Sequence, residues 1–420
     1  MYRSRYIEST IERALASSGA VLVSGPKFCG KTTTCMRFQK SFVRLNNSQV
    51  ISLARIDPEG ILQGEKPRLI GEWQKAPEIW DCIKAQLDEE YRFGQYLLTG
   101  SSTPVDKKQI QHSGAGRIVP VTMRTMSLHE SGDSTGAVSL GEIAQGAAVP
   151  TDLNQDFALE EVAYLVCRGG WPISVLSDRQ VALDVTRNYY DGLFVFEDYE
   201  NEQFRGKSPH LFRAILRSYA RNISSEASVK TLMDDVRQSD ERAIDRKTMD
   251  SYLEALRDIF VIEDMEAWSP NIRSKTSIRS TPTRHFADAS LACCALGIEP
   301  ADLMGDLNAF GLFFEDMAVR DLRVYSGVTR GELFHYRDNT GLECDAVIRW
   351  PNGKWGAVEV KLGGEQAIEA GAASLNRLAE KVSQKSSEGS PAFRMVLTAV
   401  GPMYTRKDGV VVVPINQLRA

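Results

Sequence analysis

The sequence lacks several features that define special classes of protein. Its seven cysteines form no CxxC pair, so a zinc site of that kind is not indicated. No run of about 18 apolar residues occurs, which excludes a transmembrane helix, and the N-terminus has no apolar signal core. Basic residues are not in excess: 50 Lys and Arg against 55 Asp and Glu give a net charge of −5, which excludes a globally basic nucleic-acid coat protein. We therefore expect a cytoplasmic protein with reduced thiols and no membrane partner.

Short apolar runs alternate with helical stretches over residues 20–130. The runs AVLVS (20–24), RLIGE (68–72), YLLTG (96–100) and RIVPV (117–121) are typical of buried parallel strands. Amphipathic segments such as Ala76–Glu90 lie between them. This βαβ pattern predicts an α/β unit, in which one parallel sheet is covered by helices.

The strongest motif follows the first of these runs. Residues 25–32, GPKFCGKT, match GxxxxGK[ST] without a gap and precede a helix that starts near Lys31. Glycines in such a loop let backbone N–H groups turn toward phosphate oxygens, while Lys31 reaches the β- and γ-phosphates and the Thr32 hydroxyl binds Mg²⁺. ATP and Mg²⁺ are the predicted cofactors. The predicted nucleotide-binding residues of the loop are Gly25, Pro26, Lys27, Cys29, Gly30, Lys31, Thr32 and Thr33.

The partner of a P-loop is a strand that ends in carboxylates, and RLIGE supplies only one of them. Glu72 is in place, but Gly71 precedes it and cannot bind Mg²⁺. Either Glu72 serves alone as the catalytic base or metal-shell ligand, or hydrolysis is weak. Asp57 and Asp81 are further candidates to compensate.

Two more polar positions are candidates for the nucleotide site. Thr99 or Ser101, at the tip of YLLTG, can contact the γ-phosphate or the attacking water, although a plain turn explains them as well. Arg117 opens the next strand and can reach a nucleotide in cis or in a neighbouring subunit. A structural salt bridge is the alternative for Arg117.

The motifs GPKFCGKTT, RLIGEWQ, LLTGSS and HSGAGRIVPVTMRTMSLHES together resemble a group of prokaryotic AAA-type ATPases. In that group an N-terminal P-loop domain precedes a C-terminal region of uncharacterised function. The resemblance extends to GGWP (169–172), FADASLA (286–292), FFEDMAVRDL (313–322) and the last 80 residues, so it covers nearly the whole chain.

The resemblance implies an ASCE-type core, in which the strand ending in Thr99 lies between the P-loop strand and the metal strand. It implies nucleotide-site roles for Lys31, Thr32, Glu72 and Thr99. The family usually has Asp-Glu where this sequence has Gly-Glu, and this departure affects the expected rate of hydrolysis more than the expected binding of nucleotide. Related ATPases often form rings, so a homo-oligomer is also an expectation.

The middle of the chain is mostly helical. Residues 131–157 are rich in small and polar residues and predict a loop or linker, and residues 158–268 read as helices followed by a strand, VIEDMEAW (261–268). A basic stretch at 269–287, which contains no acid, then suggests a winged-helix unit, with a solvated connection as the alternative. Its basic residues are Arg273, Lys275, Arg279 and Arg284.

The C-terminal region predicts a second α/β unit with the order helix–β–β–β–helix–β. Because residues i and i+2 of a strand share a face, Glu359 and Lys361 point together. With Asp345 on the preceding strand and Glu315 on the preceding helix, they resemble the PD-(D/E)xK nuclease fold, in which Asp345 and Glu359 hold Mg²⁺ and Lys361 helps to activate water. The alternative is a charged sheet face with one salt bridge.

These features predict an ATP-driven protein that acts on DNA through a nuclease-like C-terminal domain. The alternative is a nucleotide-gated switch or scaffold that binds protein partners and carries a catalytically silent nuclease-like module. The expected domains are a P-loop domain (1–135), a helical linker or lid (136–205), a winged-helix-like region (206–300) and a nuclease-like domain (301–420).

Overall fold

The computed structural model describes residues 2–101, 114–153, 157–194, 206–239, 244–270, 281–385 and 389–420. The chain folds into two compact units. The first extends to Thr125 and takes in Glu254–Val261, whereas the second begins at Met126 and contains most of the remaining described residues. In the described ranges no helix has the length and apolarity needed to cross a membrane.

The first unit contains a five-stranded sheet. Its strands are β1 (Ala20–Ser24), β2 (Ser41–Arg44), β3 (Arg68–Gly71), β4 (Tyr96–Gly100) and β5 (Ile118–Thr122). All neighbouring strands are parallel and the order is β2-β3-β4-β1-β5, which confirms the predicted parallel sheet and places β4 between β1 and β3. Among the five strands, β2 alone was not predicted, because this edge strand is partly exposed and has no continuous apolar run.

Helices cover both faces of this sheet. Successive strand residues point to opposite faces, so Leu97 packs in one apolar cluster with Ile11, and Leu98 packs in another with Ile83. The Asp57 carboxylate accepts a hydrogen bond from a backbone N–H and caps a helix, so it is already engaged in the fold. The helices are α1 (Ile7–Leu15), α2 (Lys31–Cys35), α3 (Ser48–Ile56), α4 (Pro58–Leu62) and α5 (Glu78–Glu89).

The second unit begins with helices and one short strand pair. Its strand β6 (Val138–Ser139) pairs in parallel with the C-terminal strand β13 (Leu418–Arg419). Residues 126–135, which we expected in the P-loop domain, lie in this unit. The helices described between residues 126 and 305 are α6 (Leu128–Ser131), α7 (Leu140–Ile143), α8 (Leu159–Arg168), α9 (Pro172–Val175), α10 (Arg179–Gly192), α11 (Pro209–Arg221), α12 (Val229–Ser239), α13 (Arg246–Asp258), α14 (Ala289–Leu296) and α15 (Pro300–Gly305). The last residues of α13 belong to the segment assigned to the first unit.

Three expectations for the middle of the chain are corrected. The segment 131–157 is not a plain linker, because it contains β6 and α7. The segment 261–268 forms isolated bridges instead of a regular strand. Arg284, expected in a basic contact surface, is 3% exposed and pairs with Asp264 at 3.1 Å, so it cannot reach a nucleic-acid phosphate. The other basic residues of that stretch, Arg273, Lys275 and Arg279, lie outside the described residues.

A six-stranded mixed sheet completes the second unit. Its strand order is β11-β12-β10-β9-β8-β7, with β7, β8 and β9 antiparallel and β9, β10 and β12 parallel. The order of helices and strands along the chain matches the predicted one. The elements are α16 (Leu307–Val328), β7 (Glu332–Arg337), β8 (Glu343–Arg349), β9 (Trp355–Lys361), α17 (Glu365–Lys385), β10 (Phe393–Thr398), β11 (Tyr404–Thr405) and β12 (Val411–Pro414).

A buried ionic network connects the sequence motifs of this unit. Arg320, 2% exposed, pairs with Asp288 at 3.1 Å and with Asp321 at 2.7 Å. Asp288 also accepts from the backbone N–H of Gly170, and Asp321 accepts from that of Leu128, both at 2.9 Å. The motifs GGWP, FADASLA, FFEDMAVRDL and SLHES therefore meet in one place, and their polar residues satisfy one another in the core.

Candidate functional site

The P-loop leaves β1 at Ser24 and enters α2 at Lys31, where the motif predicts a helix start. Gly25 and Gly30 have φ angles of 149° and 102°, and a Cβ atom at Gly25 would lie 2.0 Å from the carbonyl oxygen of Met123. Glycine is therefore required at the first turn. The Lys31 ammonium is buried and donates to the carbonyls of Gly25 (2.8 Å) and Pro26 (2.6 Å), so the loop curls around it.

The remaining loop residues differ in exposure. Thr32 is half-buried in the first turn of α2, and Thr33 is exposed. Cys29 is fully buried and its thiol donates to the carbonyl of Met123 at 3.6 Å, so it can meet a ligand only through its backbone. Pro26 is buried as well, whereas Lys27 is partly exposed.

Thr99 lies beside both the P-loop strand and the metal strand. It is in register with Val23 of β1 on one side and with Gly71 of β3 on the other. Its hydroxyl is fully buried and has no hydrogen-bond partner among the described residues. A buried hydroxyl without a partner costs about 1–3 kcal/mol, so this group favours contact with a ligand oxygen or water. Ser101, the other candidate, is also buried.

Glu72 is held in a rare backbone conformation at the end of β3. Its φ of 59° and ψ of 41° are left-handed, and its N–H donates to the carbonyl of Thr99 at 2.9 Å. The Gln74 side-chain amide donates to the Glu72 carboxylate at 2.9 Å, while the Gln74 Oε1 atom is buried without a partner among the described residues. Strain of about 1–3 kcal/mol at such a residue is typical of functional sites. Sequence reasoning missed Gln74, although it lies inside the quoted motif RLIGEWQ.

Arg117 lies at the edge of the sheet opposite the P-loop. Its carbonyl accepts from Ala20 at the start of β1, and the five residues of β1 span about 16 Å before the loop begins. Its guanidinium pairs with Asp88 at 2.7 Å. The expected contact with a nucleotide in cis is therefore wrong, and the alternative, a salt bridge, is present. Contact with a neighbouring subunit stays a prediction.

In the second unit, neighbouring elements bring together four side chains that we call the acid–lysine cluster: Glu315, Asp345, Glu359 and Lys361. The Lys361 ammonium lies 2.7 Å from Glu359 Oε2 and 3.1 Å from Asp345 Oδ2. The backbone N–H of Val360 also donates to Asp345, at 2.7 Å. Glu315, on α16, is close enough for these charges to act on its pKa. The sequence spacing places Glu359 and Lys361 on one face of β9. The antiparallel pairing of β8 with β9 brings Asp345 into contact with them.

The charges of the cluster influence one another. Burial, reinforced by Asp345, raises the pKa of Glu359 to about 8. Burial also raises the pKa of Glu315 well above its ordinary value, and Asp345 adds to that effect. Burial would lower the pKa of Lys361, but the Asp345 and Glu359 carboxylates raise it above its usual range. Lys361 is therefore a firmly charged ammonium between the carboxyl groups of Asp345 and Glu359.

The two sites differ in how well they fit a metal ion. Thr32 in the phosphate loop and Glu72 at the end of β3 supply a hydroxyl and a carboxylate, a donor set that suits Mg²⁺ bound to ATP. Mg²⁺ is often held by one or two carboxylates and water, and Asp345 with Glu359 provides two. Within the described ranges, however, no group of three His, Cys, Asp or Glu side chains is arranged to hold a metal ion by itself.

Comparison with known families agrees with this geometry. A family model described as "AAA domain" matches residues 17–132, which contain β1 to β5 and the P-loop. Two models described as domains of unknown function, DUF8612 and DUF4143, match residues 159–302 and 310–418. Residues 17–132 therefore resemble an AAA domain, and the acid–lysine cluster lies in a region whose matching family model has no assigned activity.

Individual relatives are distant. Uncharacterized proteins of Mycobacterium bovis (Mb2031c) and Mycobacterium tuberculosis (Rv2008c) are each 23% identical over 346 residues, which is 80% of this chain and 69% of the relative. The Walker-type ATPase PABY2304 of Pyrococcus abyssi aligns with a TM-score of 0.43 at 12% identity, over 70% of this chain and 96% of its own. PCH-2 of C. elegans aligns with a TM-score of 0.18 at 12% identity, over 60% and 66%. Both scores are low, and neither alignment establishes a shared fold.

Proposed function

We propose that the first unit binds ATP with Mg²⁺ and hydrolyses it at the edge of the sheet where β1, β4 and β3 end. The observation that carries this proposal is the register of Thr99 between the P-loop strand and the strand that leads to Glu72. Lys31 lies in the loop at the same edge. A phosphate-binding loop, a polar sensor and a carboxylate on three adjacent strand ends are the parts that ATP hydrolysis requires.

Each residue has a separate part in this reaction. Lys31 exchanges the loop carbonyls for the β- and γ-phosphates, and Thr32 together with Glu72 holds the metal shell. Bound Mg²⁺ neutralises charge on the phosphates. Glu72 accepts a proton from the attacking water, and the Thr99 hydroxyl contacts that water or the γ-phosphate. With Gly71 in place of an acid, this site has one carboxylate fewer, so turnover is slow.

Calorimetry and phosphate release test this proposal. Wild-type protein is titrated with ATP–Mg²⁺ beside Lys31→Ala, with Lys40→Ala, an exposed lysine of the same unit outside the loop, as the control. We expect binding and turnover in the wild type and the control, and loss of both in Lys31→Ala. ATP also raises the melting temperature through ligand linkage. Absence of heat and of a melting shift in the wild type at millimolar ATP–Mg²⁺ contradicts the proposal.

A second proposed activity rests on the acid–lysine cluster. Lys361 lies within 3.1 Å of carboxylates from two adjacent strands, an arrangement that suits Mg²⁺-dependent cleavage of a phosphodiester. In this proposal Asp345 and Glu359 hold the metal, Lys361 orients the attacking water, and Glu315 completes the outer shell. DNA is the proposed substrate, and the ATPase unit supplies the energy for acting on it.

Plasmid nicking separates this activity from a silent module. Wild-type protein with Mg²⁺ is compared with Lys361→Ala and with Lys354→Ala, an exposed lysine of the turn between β8 and β9. We expect nicking by the wild type and by Lys354→Ala only. Equal nicking by all three proteins removes the nuclease proposal. ATP turnover that does not respond to DNA then favours the nucleotide-gated switch or scaffold with protein partners.

A further inference from the structure

Arg5 connects the N-terminal segment to the P-loop. Only 6% of this residue is exposed. Its Nη1 atom donates to the carbonyl of Cys29 at 2.9 Å, and its Nη2 atom donates to the carbonyl of Arg124 at 2.9 Å. Both acceptors are backbone atoms. A buried guanidinium whose two Nη atoms each donate to a backbone carbonyl fixes the positions of two backbone segments at once.

Arg5 joins the end of the phosphate loop to the segment after β5, which packs against the beginning of the loop. Cys29 directly precedes Gly30, where α2 is about to start. Arg124 follows Met123, whose N–H donates to Ser24 at 2.7 Å and whose carbonyl faces Gly25. Arg5 therefore connects the Cys29 end of the loop to the segment that packs against Gly25 at the other end.

The direction of these carbonyls decides where the loop amides point. In a trans peptide the C=O and the following N–H point in opposite directions. Arg5 binds the Cys29 carbonyl, so the Gly30 N–H points away from Arg5. Lys31 binds the Pro26 carbonyl in the same manner, which turns the Lys27 N–H away from the ammonium. A cation on a carbonyl also polarises the peptide and strengthens its N–H as a donor.

Other contacts anchor the segment that carries Arg5. The Tyr2 hydroxyl donates to the Thr34 hydroxyl of α2 at 3.1 Å. Glu8 accepts from the Arg5 backbone N–H at 2.7 Å and from Arg37 at 3.2 Å. The segment that carries Arg5 is thus bound to Thr34 of α2 and to Arg37 just after it, so Arg5 cannot move away from the loop without breaking these bonds.

We propose that Arg5 is a positioning residue for phosphate binding, which holds the Cys29–Gly30 peptide so that the Gly30 N–H faces the nucleotide phosphates. This inference rests on the proposed ATP site. Arg5 contacts no phosphate itself. It acts through the loop backbone. We therefore expect its loss to reduce the affinity for polyphosphate while the protein still folds.

Calorimetry with ATP–Mg²⁺ and with inorganic triphosphate tests this role. Arg5→Gln is compared with Arg13→Gln, a partly buried arginine of α1 whose side chain donates to Thr10. We expect Arg5→Gln to weaken both ligands by about tenfold or more, because bonds from charged donors are strong. Arg13→Gln binds as the wild type does. In steady-state kinetics KM rises and kcat at saturation changes little, since the Gly30 N–H contacts phosphate before and during the reaction.

A conservative variant keeps the proposal testable if Arg5→Gln misfolds. Arg5→Lys keeps the charge but reaches one carbonyl, so its affinity should lie between those of the wild type and Arg5→Gln, and it decides the matter if Arg5→Gln does not fold. Wild-type affinity in Arg5→Lys and in any folded Arg5→Gln overturns the Arg5 inference and leaves the ATP site standing. A wild type that binds neither ATP nor triphosphate overturns the proposed function and the inference together.

Discussion

The side-chain amide of Gln74 donates a hydrogen bond of 2.9 Å to the carboxylate of Glu72. Glu72 already occupies a left-handed backbone conformation, and its N–H is bound to the carbonyl of Thr99. Backbone and side chain therefore restrict the directions that this carboxylate can take. We therefore expect Gln74 to act as a positioning residue for the proposed base.

Gln74→Ala should lower kcat for ATP by roughly tenfold and leave KM nearly unchanged, because a lost hydrogen bond to a charged group costs about 1.5 kcal/mol. Gln74→Glu should lower kcat further, since a second negative charge repels Glu72 and disfavours its ionised form. Phosphate-release kinetics measure both variants, with the exposed Gln63→Ala as control. Turnover by Gln74→Ala equal to that of the control contradicts the positioning role.

Gly71→Asp should raise ATP turnover severalfold. A Cβ atom at Gly71 would meet nothing closer than 3.5 Å, and the nearest polar atom is the Thr99 hydroxyl at 3.7 Å, so the space at this strand end admits a side chain. The added carboxylate would stand beside Glu72 and bind the metal shell. Gly71→Asn is the uncharged control of the same shape. If the Asn variant turns over ATP as fast as the Asp variant, charge at this position does not limit the reaction.

The sheet of the first unit was largely predictable because interior parallel strands are short apolar runs with clear ends. The bounds of β1 and β4 agree with the runs AVLVS and YLLTG. The edge strand β2 has no such run, because its residues are partly exposed. The position of Lys31 and Thr32 at the start of α2 could be predicted because their motif is contiguous in the sequence.

Residues that act through tertiary contacts could not be found in this way. Arg5 is separated from Cys29 by 24 positions and from Arg124 by 119, so no local pattern connects them. In the second unit, the two-residue period of a strand places Glu359 and Lys361 on one face, but their contact with Asp345 depends on the pairing of β8 with β9. Strand spacing therefore predicts shared faces, and strand pairing determines contacts.

The stability of the second unit should depend on the ionisation of Glu359. Burial raises the pKa of Glu359 from about 4.5 to about 8, so the folded protein retains a proton that the unfolded chain releases. This contribution to stability is fully present below pH 4.5 and is lost as the pH rises toward 8. Glu359→Gln cannot ionise and lacks this loss. Melting temperatures of both proteins between pH 5 and 8 should show the variant gaining on the wild type as the pH rises, and parallel curves contradict the raised pKa.

Arg320→Ala should destabilise the second unit by about 3 to 5 kcal/mol, because it leaves Asp288 and Asp321 buried with their charge uncompensated. The same loss frees the carboxylates that bind the backbone N–H groups of Gly170 and Leu128. Urea unfolding followed by tryptophan fluorescence measures the change, since Trp171 lies next to Gly170 and donates to Ser290 at 3.0 Å.

The matched control is Arg187→Ala, which breaks an exposed pair with Glu299 in the same unit. Exposed pairs contribute at most about 1 kcal/mol, so this variant should unfold close to the wild type. The comparison separates the effect of burial from that of charge, because each substitution removes one arginine and two ion pairs. If Arg320→Ala lowers the free energy of unfolding no more than Arg187→Ala does, the motifs that meet at Arg320 are not explained by stabilisation of the core. A role in binding then becomes the better explanation of GGWP and FADASLA.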